Sequence, residues 1–188
     1  MKLIDTPLPD LYIVEPNVFS DTRGYFFESY NAKKFIDLNI YNDFVQDNES
    51  FSGYGVIRGL HYQLAPYAQA KLVRVVQGRI LDVAVDIRKN SPTFGKSFAY
   101  ELNDKSKQML FIPRGFAHGF SVLSETATVF YKCDALYSAD AERGVCYNDS
   151  QLSIDWRIDP KDALVSAKDK VLPCFDNLET NFVYGGEY

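Results

Sequence analysis

Two histidines occur in 188 residues, His61 and His118. Histidine is the side chain naturally poised for proton transfer near neutrality. His61 lies in Val56-Ile-Arg-Gly-Leu-His-Tyr-Gln63, three positions after Arg58 with Gly59 between. Val56, Ile57, Leu60 and Tyr62 favour a strand, and strict alternation would point Arg58 and His61 to opposite faces. An interior glycine marks a bulge or a close backbone approach. A bulge at Gly59 would turn both side chains into one cavity; the plain alternative is an edge strand with a surface arginine and an ordinary histidine. His118 shares one face of its segment with Phe116, Phe120 and Val122, a setting that suits a satisfied core histidine as well as a ligand-facing one.

A cavity holding histidine, lysine, arginine and tyrosine suits proton abstraction beside a carbonyl. The imidazole takes the carbon-bound proton, and a cation such as Lys71 offsets charge developing on the carbonyl oxygen. A phenol on the opposite face returns a proton, each positioned transfer group contributing about 10²–10⁴-fold. An acidic partner such as Asp169 would hold the imidazole tautomer and stabilise the imidazolium. Composition is compatible with this chemistry without dictating it, because lone Tyr, Lys and Asp residues are commonly structural. No Gly-x-Ser-x-Gly elbow, phosphate-binding loop or dinucleotide fingerprint is present. Pro113-Arg-Gly-Phe-Ala-His118 resembles the second signature of the cupin superfamily, whose histidine binds a metal. The first signature would need His-x-His, and the chain reads His61-Tyr-Gln63. The usual three-histidine, one-glutamate shell cannot be assembled, and a first-row metal needs several N or O ligands. No metal and no other cofactor is expected.

The elements that must position these groups are mostly short strands. Leu11 to Glu15 and Tyr25 to Tyr30 read as strands around a turn at Ser20-Asp-Thr-Arg-Gly24. Asn31 is an N-cap candidate for a helix over Ala32 to Leu38, and Phe44 to Asn48 returns to extended chain. Lys71 to Gln77 and Arg79 to Arg88 flank Gly78 and read as a tight hairpin. In the second run Leu81, Val83, Val85 and Ile87 alternate with Asp82, Ala84 and Asp86, which argues for an antiparallel sheet. The two carboxylates read more readily as solvated than as functional. Ser97 to Leu102, Gln108 to Ile112 and Thr126 to Tyr131 complete the strands, and one short helix around Ser166 to Lys170 follows. Many short strands at roughly ten-residue spacing, with almost no helix, indicate a sandwich or barrel.

Composition limits the partners. The formal charge of −5 argues against a nucleic-acid binder, so an anionic ligand must be held by a local cationic cluster. The N-terminus lacks an apolar signal region and no run reaches 18 apolar residues. A cytoplasmic protein of one domain over residues 1–188, away from membranes, is expected. Cys133, Cys146 and Cys174 match neither a C-x-x-C nor a zinc spacing and read as reduced, mostly buried thiols.

From about Ile4 to Pro173 the chain resembles the dTDP-4-dehydrorhamnose 3,5-epimerase family. The likeness is carried by Asp21-Thr-Arg-Gly-Tyr-Phe-Phe-Glu-Ser29, Phe44-Val-Gln-Asp-Asn48, Val56–Gln63, Lys71-Leu-Val-Arg74, Asp82-Val-Ala-Val-Asp-Ile-Arg88, Ser91-Pro-Thr-Phe-Gly95, Ile112–Phe120, Tyr131-Lys132, Tyr137-Ser138 and Ser166-Ala-Lys-Asp169, all in family order. The resemblance implies an all-β cupin-type jelly roll, a homodimer and no cofactor. It implies that His61 accepts the proton, paired with Asp169, that Tyr131 donates one, and that Lys71 lies near the C4 oxygen. Arg23, Glu28, Gln46, Asp47, Asn48, Arg58, His118, Glu142 and Lys168 fall on positions that contact nucleotide or sugar, and Tyr137 on the aromatic that stacks on thymine. Part of the nucleotide site would come from the partner's N-terminal segment, within residues 1–50. The implied reaction inverts C3 and C5 of a dTDP-linked 4-keto-6-deoxyhexose. A C3-only epimerase or keto-isomerase, a non-catalytic sugar-binding cupin and a metal-dependent oxygenase are the alternatives. Tyr147 stands where many members have Trp, and the tail over 174–188 carries no family motif.

Overall fold

The computed structural model describes residues 1–186 and 188. In chain order the strands are β1 (Lys2–Asp5), β2 (Tyr12–Glu15), β3 (Val18–Asp21), β4 (Gly24–Phe27), β5 (Gln46–Gly53), β6 (Val56–Gln63), β7 (Lys71–Gln77), β8 (Arg79–Asp86), β9 (Ser97–Asn103), β10 (Met109–Ile112), β11 (Phe116–Val122), β12 (Thr126–Cys133), β13 (Glu142–Gly144) and β14 (Leu164–Val165). Two short helices interrupt them, α1 (Ala32–Asp37) and α2 (Ala167–Lys170). Each starts on the residue its chemistry suits: Asn31 accepts from the Lys34 N–H and Ser166 from the Asp169 N–H.

The strands form a cupin-type jelly roll of two stacked sheets. One runs β1-β2-β10-β7-β12-β5 and the other β13-β6-β11-β8-β9, with β14 lying parallel against β6. Between the sheets, Val73, Val75 and Val129 of the first meet Ile80, Ala84 and Phe120 of the second. Outside the first sheet, Leu72, Met109 and Phe111 are covered by Phe35 of α1 and Ile40. Outside the second, Leu81, Val83, Val85 and Ile87 are covered by Val145, Leu152, Trp156, Phe175 and Phe182. Each fully buried aliphatic side chain stabilises the fold by about 1.5–3 kcal/mol, so the later third of the chain serves as a wall for this sheet.

Three local readings change in this context. The segment around Gly78 is a corner and not a hairpin: β7 pairs with β10 and β12, whereas β8 pairs with β11 and β9. A tight turn and a sheet-to-sheet corner ask the same of the backbone. Gly78 has φ +85°, and a Cβ there would strike the Thr126 carbonyl oxygen. Asp82 and Asp86 are fully buried, not solvated, because both faces of β8 are covered. Asp86 pairs with Arg88 at 2.9 Å. The N-terminal turn at Ser20 to Gly24 is the tip of a separate two-stranded ribbon, β3 against β4, in which Val18–Asp21 is a strand and Glu28 to Tyr30 are not. No helix among the described residues is long and apolar enough to cross a membrane.

Candidate active site

A cavity of about 610 Å³ lies between the two sheets, and each contributes to its lining. The bulge expected at Gly59 is present. From Arg58 to His61 β6 takes three steps, while β11 takes two between their partners Phe120 and His118. Gly59 has φ +110°, and a Cβ there would lie 2.6 Å from the His118 carbonyl oxygen, so only glycine fits. The extra residue resets the alternation, and Arg58 and His61 both line the cavity. The edge-strand alternative does not hold, since β6 is flanked by β13 and β11.

Asp169 arrives from α2, more than one hundred positions along the chain. It is 3% exposed, accepting from His61 Nε2 at 2.8 Å through Oδ1 and from the Gly59 N–H at 3.1 Å through Oδ2. A carboxylate only accepts, so the neutral imidazole carries its proton on Nε2 and keeps a lone pair on Nδ1. Burial draws the His61 pKa below its ordinary value and outweighs the opposing pull of Asp169. The imidazole is therefore a free base at neutral pH.

Lys71 of β7 and Tyr131 of β12 line the cavity from the other sheet, the ammonium 5.9 Å from the phenol ring centroid. Burial lowers the Lys71 pKa and raises that of Tyr131, which stays a protonated phenol. His118 is buried at the cavity edge, its Nε2 2.6 Å from Asp82 Oδ1. It is thus both a satisfied core residue and a lining one.

A second hollow of about 300 Å³ shares His61, Lys71 and Tyr131 and adds Gln46, Asn48, Tyr137 and Glu142, so the two form one elongated cleft. Its outer end is tied together by polar contacts. The Tyr137 N–H donates to Gln46 Oε1 at 2.9 Å. The Tyr137 hydroxyl and Lys168 Nζ both donate to Glu142 Oε2 at 2.7 Å. Tyr137 is 56% exposed, and its aromatic ring could stack a planar group.

Three expected site residues lie outside the cleft. Arg23 pairs with Asp21 at 2.6 Å at the ribbon tip, Glu28 with Lys34 at 2.7 Å, and Asp47 with Lys132 at 2.9 Å. The reading of the sequence also missed lining residues, among them Ser50 and Lys170, and the role of Asp82 as the partner of His118. Nothing in the local pattern marks that pair, because it depends on β8 lying beside β11.

The dTDP-4-dehydrorhamnose 3,5-epimerase family model matches residues 5–177. A dTDP-4-dehydrorhamnose 3,5-epimerase of Shigella flexneri is 52% identical over 170 residues, covering 90% of this chain and 93% of the relative. The crystal structure of such an epimerase from Elizabethkingia anophelis superposes with a TM-score of 0.91 at 56% identity, over 94% of this chain and 97% of the other. A Legionella pneumophila dTDP-6-deoxy-D-glucose-3,5-epimerase, solved in complex with dTDP-4-keto-L-rhamnose, superposes with a TM-score of 0.90 at 44% identity, over 95% and 94% of the two chains.

Proposed function

The chain belongs to the dTDP-4-dehydrorhamnose 3,5-epimerase family of carbohydrate isomerases, and on that premise we propose that it inverts C3 and C5 of a dTDP-linked 4-keto-6-deoxyhexose, converting dTDP-4-dehydro-6-deoxy-D-glucose to dTDP-4-dehydro-L-rhamnose, by histidine-mediated deprotonation and tyrosine-mediated reprotonation. The observation that carries the reading is that the His61–Asp169 pair, Lys71 and Tyr131 line one cavity, a base on one sheet facing an acid and a cation on the other.

The C4 ketone acidifies the protons on both neighbouring carbons. His61 Nδ1 takes the proton from C5 or C3, and the charge that forms on Nε2–H is met by Asp169. Imidazole is too weak a base for an isolated ketone, so the enolate oxygen must be stabilised, which Lys71 supplies from a site that sheds water. The Tyr131 phenol delivers a proton to the opposite face and completes the inversion. A shift of the sugar ring presents the second carbon to the same pair. Neither step uses a metal or an organic cofactor.

The outer cleft suits the nucleotide, with Tyr137 under the thymine and Gln46, Asn48, Glu142 and Lys168 around it. Arg58 and His118 serve the diphosphate–sugar end through charge-assisted hydrogen bonds. Arg23 and Glu28 take their roles in a homodimer, the ribbon of one protomer reaching the other's cleft. Exposed Phe19 (65%) and Phe26 (70%) lie on that ribbon, an apolar pair that a partner subunit would cover.

Proton NMR in D₂O with dTDP-4-keto-6-deoxyglucose tests the assignment. Deuterium at both C3 and C5 is expected. Label at C3 alone makes the protein a 3-epimerase, and label at neither position overturns the reading.

A further inference from the structure

Away from the cleft, two thiols and a carboxylate converge. Cys146 Sγ lies 3.8 Å from Cys174 Sγ and 3.8 Å from Asp149 Oδ2, and all three ligand atoms fall within 4.8 Å of one another. The cysteines are 28 positions apart, a separation that hides the pair from any reading of local spacing. We propose that Cys146, Cys174 and Asp149 bind a thiophilic divalent cation, zinc or a close relative, at a structural site.

The distances fit a metal site and not a formed covalent bond. A tetrahedral zinc with Zn–S bonds of about 2.3 Å holds two sulfurs about 3.8 Å apart, the separation seen here. A disulfide needs about 2.05 Å. The carboxylate is already aimed. Its Oδ1 accepts from the Gln151 and Leu152 N–H groups at 2.9 and 3.1 Å, and its Oδ2 from the Phe175 N–H at 2.8 Å. A carboxylate offers about four acceptor positions; three are taken by backbone, and the fourth faces Cys146. Such outer hydrogen bonds orient a ligand before the ion arrives. Cys146 is buried and Cys174 exposed, so water can complete the shell from the open side. On binding, each thiol gives its proton to solvent and each sulfur its lone pair to the cation; no oxidant is involved.

The site would tie together two segments that frame the dyad. Cys146 follows β13, whose Gly144 pairs with His61. Cys174 follows α2, which carries Asp169, and the Cys146 N–H already donates to the Pro173 carbonyl at 2.9 Å. An ion here would fasten the segment bearing Asp169 against the strand bearing His61.

Cobalt(II) titration of the full chain tests this, after metal removal and reduction with a phosphine. One equivalent should produce a thiolate-to-cobalt charge-transfer band in the near ultraviolet with the strong visible bands of tetrahedral cobalt, and zinc should erase both. Cys174→Ser should weaken cobalt binding at least tenfold, while Cys133→Ser binds as the parent does. Zinc should also slow amide exchange over residues 166–177. No charge-transfer band, a band unchanged in Cys174→Ser, or a purified chain lighter by two hydrogens with both thiols lost to a disulfide overturns the proposal.

Discussion

Replacing Asp169 by Asn should do more harm than replacing it by Ala, and the reason lies in one backbone N–H. In the parent chain Asp169 accepts twice, from His61 Nε2 at 2.8 Å and from the Gly59 N–H at 3.1 Å. An asparagine must turn its oxygen toward Gly59, because the other orientation sets two buried donors face to face and costs about 1–3 kcal/mol. Its NH₂ then points at His61 Nε2 and donates to it. The imidazole proton is driven to Nδ1, the atom that should receive hydrogen from the sugar. Alanine removes the support for the imidazolium without imposing that tautomer. A positioned base contributes about 10²–10⁴-fold, and the corresponding Asp-to-Asn change in a Ser-His-Asp triad lowers kcat about 10⁴-fold. A loss of about 10³-fold in kcat, or about 4 kcal/mol at 1.36 kcal/mol per decade, is expected for Asp169→Asn, with a smaller loss for Asp169→Ala. The assay is the rate of deuterium uptake at C3 and C5 in D₂O, read by NMR on enzyme shown by circular dichroism to be folded. An Asn variant within tenfold of the parent, or one that outperforms Ala, would refute the assignment of the base to Nδ1.

The pH dependence of kcat/KM should be bell-shaped. The pKa of His61 is drawn below 6.5 by burial, so activity is lost as pH falls through a value under 6.5; an acid limb above it contradicts the desolvated base. Lys71 is drawn below 10.5, so the alkaline limb should begin below that value and move in Lys71→Arg. Tyr131→Phe should cut product formation about 10²-fold while deuterium still washes into recovered substrate, since His61 can return what it takes; equal loss of both rates counts against Tyr131 as the donor. Gly59→Ala places a Cβ 2.6 Å from the His118 carbonyl at φ +110°. A strain of about 1–3 kcal/mol should lower the melting temperature by about 2–4 °C per kcal/mol, and an unchanged value argues against the bulge. On the proposed homodimer, Phe26→Asp should shift the protein toward a monomer in sedimentation velocity and weaken substrate binding; an unchanged assembly counts against the ribbon as the dimer contact.

Much of the site can be read from the chain because its signals are local. The bulge follows from a glycine inside a β-branched run, and the cap of α1 from Asn31, whose side chain bonds to backbone three residues on. The family motifs name His61, Lys71, Tyr131 and Asp169 without saying how they meet. Tertiary structure alone decides that Gly78 turns a corner between sheets, since the residue types for a corner and a hairpin are the same. It alone buries Asp82 and Asp86, because the face of β8 they share with Ala84 is covered by the first sheet, whose strands come from distant sequence. The contact between Asp169 and His61, and the meeting of Cys146 with Cys174, likewise arise only when α2 and the chain after it dock against β6 and β13. Side-chain direction and backbone permissiveness are set by steric contacts between neighbours in sequence. Which strand lies beside which is settled by the competition to bury apolar area, and that involves the whole chain at once.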